Sequence, residues 1–149
     1  MAIGETAPDA GMSDAVPVRE GLFTDTAPLR LLGSRCEVCG RHHFPRQDTC
    51  PYCAAEGASP VELSGSGRLW SWTTVTTAPP GYRGDVPYGF GVVELPEGLR
   101  VVTRLTESDP ARLSAGQAME LVVIPVGLAV DDEGGGRPVV TYAFAPEQR

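Results

Sequence analysis

CEVCGRHHFPRQDTCPYC, residues 36–53, holds every cysteine of the 149-residue chain. Cys36 and Cys39 make one Cys-x-x-Cys pair, and Cys50 and Cys53 make a second. A tetrahedral zinc ion takes four soft ligands, and a tight turn brings residues i and i+3 to one side of it. Gly40 follows the first pair directly, where such a turn needs a positive φ, while Ala54 stands at the equivalent place after the second. The pattern predicts a rubredoxin-like zinc ribbon over residues 30–60.

Other chemistries are weaker fits. Disulfides belong to oxidising compartments, whereas the first fifteen residues carry Glu5, Asp9 and Asp14 and no base, the reverse of a secretory signal. A cytoplasmic location is the expectation. Iron stays open as a rival metal, because Cys-x-x-Cys-Gly and Cys-Pro-x-Cys are also the knuckles of rubredoxin. With four thiolates the coordination shell is full and leaves no position for an activated water, so the ion is expected to be structural. His42 and His43 are read as exposed residues at the ribbon tip. Leu31, Leu32, Val38, Phe44 and nearby Val61 are too few to fold about thirty residues alone. Structural zinc contributes on the order of 10–16 kcal/mol in finger peptides, so its removal is expected to unfold this segment first.

Beyond Pro60 the sequence reads as five strands. Leu69–Thr77 is β-branched and aromatic. Tyr88–Leu95 and Leu99–Leu105 flank the turn cluster Pro96-Glu97-Gly98 and form a hairpin. In the second of these, Leu99, Val101, Thr103 and Leu105 share one face, and Arg100, Val102 and Arg104 the other. Glu120–Val126 and Val139–Ala145 complete the set, with Val140, Tyr142 and Phe144 on one side and the exposed tip Asp131–Gly136 between them. Asp109 can cap a short helix that Pro110 opens and Gly116 ends. One helix after the third of five antiparallel strands is the order of an OB-fold. Gly89 and Gly91 leave part of one strand face bare, as at a barrel bend or a close backbone approach. The predicted architecture is mostly β: an N-terminal extension over 1–29, partly flexible, then the ribbon, then a five-stranded OB-fold barrel with one short helix over 61–149. Val18–Phe23 is expected to make one or two amphipathic turns.

Composition agrees and excludes several classes. The 18 glycines and 14 prolines rule out a helical bundle. The longest nearly apolar run, Leu121–Val130, contains Pro125 and Gly127 and is too short to span a bilayer. The net charge is −7 and no lysine is present. Only residues 30–60 lean positive, with Arg30, Arg35, Arg41 and Arg46 against Glu37, Asp48 and Glu56. A nucleic-acid partner or an anionic membrane surface would need a larger basic face, so neither is expected.

The order of features resembles the bacterial and archaeal zinc-ribbon/OB-fold proteins associated with acyl-CoA enzymes. The resembling residues are Leu29-Arg30-Leu31, the cysteine quartet with Phe44-Pro45-Arg46 inside it, and Leu63-Ser64-Gly65-Ser66-Gly67. Pro87-Tyr88, Leu113-x-x-Gly116 and Tyr142-Ala143-Phe144-Ala145-Pro146 complete the match over about residues 17–146. The resemblance implies a non-catalytic accessory subunit. Its partner would be a thiolase-like enzyme, a retro-aldol lyase or an acyltransferase, with an acyl-CoA shared between them. Gly127–Pro138 is longer and more acidic than the family's usual connection.

CoA carries phosphates, so arginines are the residues to weigh. Arg35, Arg46, Arg68 and Arg83 are the candidates for acyl-CoA or partner contact, together with Tyr82 in the loop Ala78–Gly84. Trp70 and Trp72, two apart on a strand, are expected to face the same way, into the barrel core or a protein interface. No set of side chains suggests autonomous catalysis, and a metal-filled quartet leaves no thiol nucleophile. Two alternatives are a nucleic-acid-binding ribbon/OB module and a rubredoxin-like electron carrier.

Overall fold

The computed structural model describes residues 15–130 and 136–148, so the first fourteen residues and most of the expected tip at Asp131–Gly136 lie outside it. Among the described residues, nine strands form two sheets. The smaller holds β2 (Leu32–Arg35) between β3 (His42–His43) and β4 (Ser59–Glu62), both antiparallel to it. This is the ribbon.

The larger sheet closes on itself. Strands β5 (Ser66–Val75), β6 (Tyr88–Glu94) and β7 (Arg100–Leu105) form an antiparallel meander. β8 (Ala118–Val130) pairs with both β5 and β9 (Gly136–Pro146), and β9 runs parallel to β7. The circuit β5-β6-β7-β9-β8-β5 is a closed five-stranded barrel of the OB type. β1 (Val16–Pro17) adds to it as a parallel neighbour of β9.

Alternation along β7 is as expected: Leu99, Val101, Thr103 and Leu105 are buried while Val102 stays 55% exposed. Leu99, Val101 and Leu105 join Leu69, Val93, Leu95, Leu113, Met119, Leu121 and Phe144 in one core. Leu31 and Leu63 belong to the same cluster, and Phe44 and Val61 pack against it. The base of the ribbon therefore sits on the end of the barrel core rather than apart from it. The Glu97 carboxylate strengthens the junction, accepting the Ser64 backbone N–H at 2.8 Å and its hydroxyl at 3.1 Å.

Gly89 and Gly91 act as the sequence suggests. A Cβ on Gly89 would collide with the Glu107 carbonyl, and one on Gly91 with the Ser71 carbonyl. Both sites need backbone without a side chain because another segment crosses there.

Five expectations change. Trp70 and Trp72 do not share a face: the β5–β6 register shifts between Leu69 and Ser71, and this bulge leaves Trp70 51% exposed while Trp72 packs against the core. His43 is buried at 2% exposure and its Nε2 pairs with the Gln47 carbonyl at 3.1 Å, because β3 turns it beneath the ribbon. The short helix is a single 3-10 turn, Pro110–Arg112, capped by the Asp109 carboxylate and closed at Leu113 rather than Gly116. Val18–Phe23 makes no helical turn. The Val18 N–H bonds to the Val140 carbonyl, the Leu22 carbonyl accepts the Leu32 N–H, and Phe23 bridges Leu31. The stretch after Gly127 is also partly strand, since pairing of β8 with β9 continues to Val130 and Gly136. No helix among the described residues is long and apolar enough to cross a membrane.

Candidate metal centre and clefts

The two Cys-x-x-Cys turns repeat one backbone scheme. In the first, the Gly40 N–H donates to the Cys36 carbonyl and the Cys36 N–H to the Arg41 carbonyl, both at 2.9 Å. In the second, the Ala54 N–H donates to the Cys50 carbonyl at 2.9 Å and the Cys50 N–H to the Ala55 carbonyl at 2.8 Å. The residue after each pair takes the left-handed conformation, φ 77° at Gly40 and 65° at Ala54. Ala54 accepts a strain that glycine avoids.

This scheme gathers the sulfurs. All four Sγ atoms lie within 4.8 Å of one another, with Cys36–Cys53 at 3.5 Å and Cys39–Cys50 at 3.7 Å. Four sulfurs at about 2.3 Å from a tetrahedral zinc stand about 3.8 Å apart, so the quartet is positioned to bind one metal ion. Cys36 and Cys50 are buried, and Cys39 and Cys53 form the outer side. Backbone N–H groups point at the inner sulfurs: those of Val38 and Cys39 lie 3.4 Å from Cys36 Sγ, and that of Tyr52 lies 3.4 Å from Cys50 Sγ. The Cys39 N–H, more than burial opposes it, brings the Cys36 thiol down to about 6. Burial pushes the Cys50 thiol up, but the Cys53 and Tyr52 N–H groups outweigh it and leave the thiol lowered. Thiolates are the form a metal takes. Arg41 stacks over Tyr52 at 5.2 Å and spans from one knuckle to the other.

The five other candidates are dispersed. Arg35 ends β2 beside the quartet and lies 3.8 Å from Glu37. Arg46 bonds the Gly33 carbonyl at 3.1 Å and the Val61 carbonyl at 3.2 Å, so its guanidinium tacks the β3–β4 connection onto the ribbon. Arg68 lines a groove of about 570 Å³ with Glu94, Pro96, Ala118 and Glu147. Tyr82 and Arg83 share a different cleft, about 530 Å³, with Tyr88, Arg104 and the β8 segment Ile124–Gly127. The structure thus brings Tyr82 and Arg83 together and leaves the three remaining arginines elsewhere.

Two residues of that cleft escaped the sequence reading as site candidates. The Arg104 guanidinium lies 3.8 Å over the Tyr88 ring and 5.6 Å from that of Tyr82, and the two rings are 5.3 Å apart. Strand alternation marked Arg104 only as outward-facing. The signal that could have found the cluster is the hairpin register, which places Arg104 opposite Phe90, two residues beyond Tyr88.

Comparison with known proteins agrees in both halves. Residues 25–57 match the family described as ChsH2, rubredoxin-like zinc ribbon domain, and residues 60–123 match ChsH2, C-terminal OB-fold domain. The chain belongs to this ribbon/OB-fold family. Among its relatives is a DUF35 domain-containing scaffold protein of Methanothermobacter thermautotrophicus, 33% identical over 76% of this chain and 83% of the relative. The benzoylsuccinyl-CoA thiolase subunit BbsA of Thauera aromatica is 35% identical over 76% of this chain and 74% of its own. A solved structure titled Ltp2-ChsH2(DUF35) aldolase superposes with a TM-score of 0.56 at 30% identity, covering 78% of this chain and 84% of that one. Family membership accounts for the shared core of ribbon and barrel, since the matched residues run through both.

Proposed function

We propose that this chain is a non-catalytic accessory subunit that binds a thiolase-like catalytic partner, whether thiolase, retro-aldolase or acyltransferase, and helps form its acyl-CoA site. The observation that carries the reading is the relatedness at 30% identity or more, across both ribbon and barrel, to a protein named a thiolase subunit and a chain titled as part of an aldolase. The chemistry of the chain supports it. Its four cysteines all sit in the quartet, and a metal there consumes every thiol that could attack a thioester.

In this reading the ion is zinc and its work is architectural. Filled by four sulfurs, it has no open position from which to polarise a substrate. The barrel and ribbon present a fixed surface to the partner. Arg35, Arg46, Arg68, Tyr82 and Arg83 are the residues proposed to reach the partner or the CoA phosphates. An exposed Trp70, with Arg100 stacked 4.0 Å over its ring, adds an aromatic anchor of the kind that protein interfaces use.

The test is co-expression of the tagged chain with thiolase-fold proteins from the same genome, followed by purification and assay. A stable complex is expected, active in thiolysis or retro-aldol cleavage, while the chain alone is inert. Full activity in the isolated chain, or no complex with any such protein, overturns the reading.

A further inference from the structure

Arg104 is placed unlike any other arginine among the described residues. It lies on β7 between β6 and β9, with Ala143 as its neighbour on β9. The side chain is half-buried, and Nε is shut away from solvent with no hydrogen-bond partner. No carboxylate among the described residues lies within ion-pair distance of it. The ion pairs found there are Arg35–Glu37, Arg100–Glu94 and Arg112–Glu107. Asp85 lines the same cleft but stands farther from Arg104 than any ion pair allows.

A half-buried guanidinium that meets no carboxylate among the described residues is a standing attraction for an anion. This one is also held in place. Tyr88 supports its flat face at 3.8 Å, and Tyr82 stands beside it with its hydroxyl donating to the Asp85 carbonyl at 2.9 Å. That hydroxyl bond closes the loop that forms one wall of the cleft. A guanidinium fixed by stacking keeps its two outer Nη groups oriented for two oxygens at once. Arg83 adds a second positive charge at the same cleft, and Ile124, Pro125 and Val126 give it an apolar wall. Its volume, about 530 Å³, is of small-molecule size.

We infer that this cleft binds a small amphipathic oxyanion, its phosphate or carboxylate group held by Arg104 and its hydrocarbon chain laid against Ile124–Val126. The site adds a ligand to the chain itself and needs no catalytic partner, so its test is independent of complex formation.

The zinc-loaded full-length chain is titrated with hexyl phosphate, hexanoate and neutral hexanamide while the Arg104 Nε–Hε resonance is followed by NMR. At least one of the two anions is expected to move that resonance saturably. Hexanamide is expected to bind about tenfold more weakly or not at all, as a lost charge-assisted pair requires. The tighter anion identifies the headgroup as phosphoryl or carboxyl. Arg104→Gln is expected to weaken that anion about tenfold with the ribbon resonances in place. A resonance unmoved by both anions, equal binding of hexanamide, or undiminished binding to a folded Arg104→Gln chain would overturn the site. The wild-type titration decides it even should the variant fail to fold.

Discussion

The ring of Phe44, between the two cysteine pairs, meets the ring of Tyr142, on the last barrel strand, edge to face with centroids 5.4 Å apart and planes at 90°. Such a pair contributes about 0.5–1.5 kcal/mol beyond the area it buries, and it ties the ribbon to the barrel. Phe44→Ala is therefore expected to lower stability by about 2–3 kcal/mol, somewhat less than truncation of a fully buried phenylalanine. Urea unfolding followed by tryptophan fluorescence, which reports on the barrel, should show the loss. An unchanged barrel midpoint would mean that the ribbon is energetically separate.

The matched turns after each cysteine pair invite a comparison of opposite signs. Gly40→Ala puts a Cβ on a residue at φ 77°, and although its nearest neighbour would be Arg35 Nη2 at 3.6 Å, the backbone conformation itself costs about 1–2 kcal/mol. Ala54→Gly relieves the same strain at φ 65°, offset by about 0.5–1 kcal/mol of greater freedom in the unfolded chain. Competition with a chelator should show Gly40→Ala releasing zinc more readily and Ala54→Gly holding it equally or slightly better. Equal weakening by both would contradict the assigned geometry.

Gly89→Ala tests the barrel closure. The added methyl would strike the Glu107 carbonyl and come within 3.0 Å of Leu105 Cβ, neither of which is a flexible side-chain end. Overpacking of this kind costs about 1–3 kcal/mol or more. A lowered melting temperature with an intact ribbon spectrum is expected. Wild-type stability would show that β6 and the Glu107 segment do not cross so closely.

The clustering of the four cysteines and most barrel strands were legible because each rests on a local rule. Cysteine spacing declares its own chemistry, and β7 alternates cleanly because one face meets the core and the other solvent. What escaped depends on relations between strands. A bulge after Leu69 cannot be seen in Leu69–Thr77 alone, yet it sends Trp70 outward and Trp72 inward. His43 looked like a tip residue because its burial comes from tertiary packing, not from its neighbours in sequence. The Arg104 cluster joins Tyr82, in the loop before β6, to Tyr88 and Arg104 across the β6–β7 hairpin, a relation of strand register that no single segment shows alone.

Tyr142 gives a pH dependence with a definite sign. Burial raises its phenol above the ordinary 10, and the hydroxyl donates to the Val102 carbonyl at 3.0 Å. Above about pH 10 the unfolded chain loses this proton while the folded chain keeps it, so stability falls as pH rises through that window and is fully present below it. Tyr142→Phe should remove this residue's share of the alkaline loss while lowering stability near neutrality by about 0.5–1.5 kcal/mol for the missing hydrogen bond. Denaturant midpoints at pH 8 and 11 compare the two chains. A variant as sensitive to alkali as wild type would place the titrating group elsewhere.

Zinc X-ray absorption on natively purified protein addresses the metal most directly. One zinc per colourless chain, with four sulfur neighbours at about 2.3 Å and no oxygen or nitrogen in the shell, is the predicted result. An iron edge, a bound light atom near 2.0–2.2 Å as at an open catalytic site, or cysteines joined as disulfides without metal would contradict a structural, chemically closed centre.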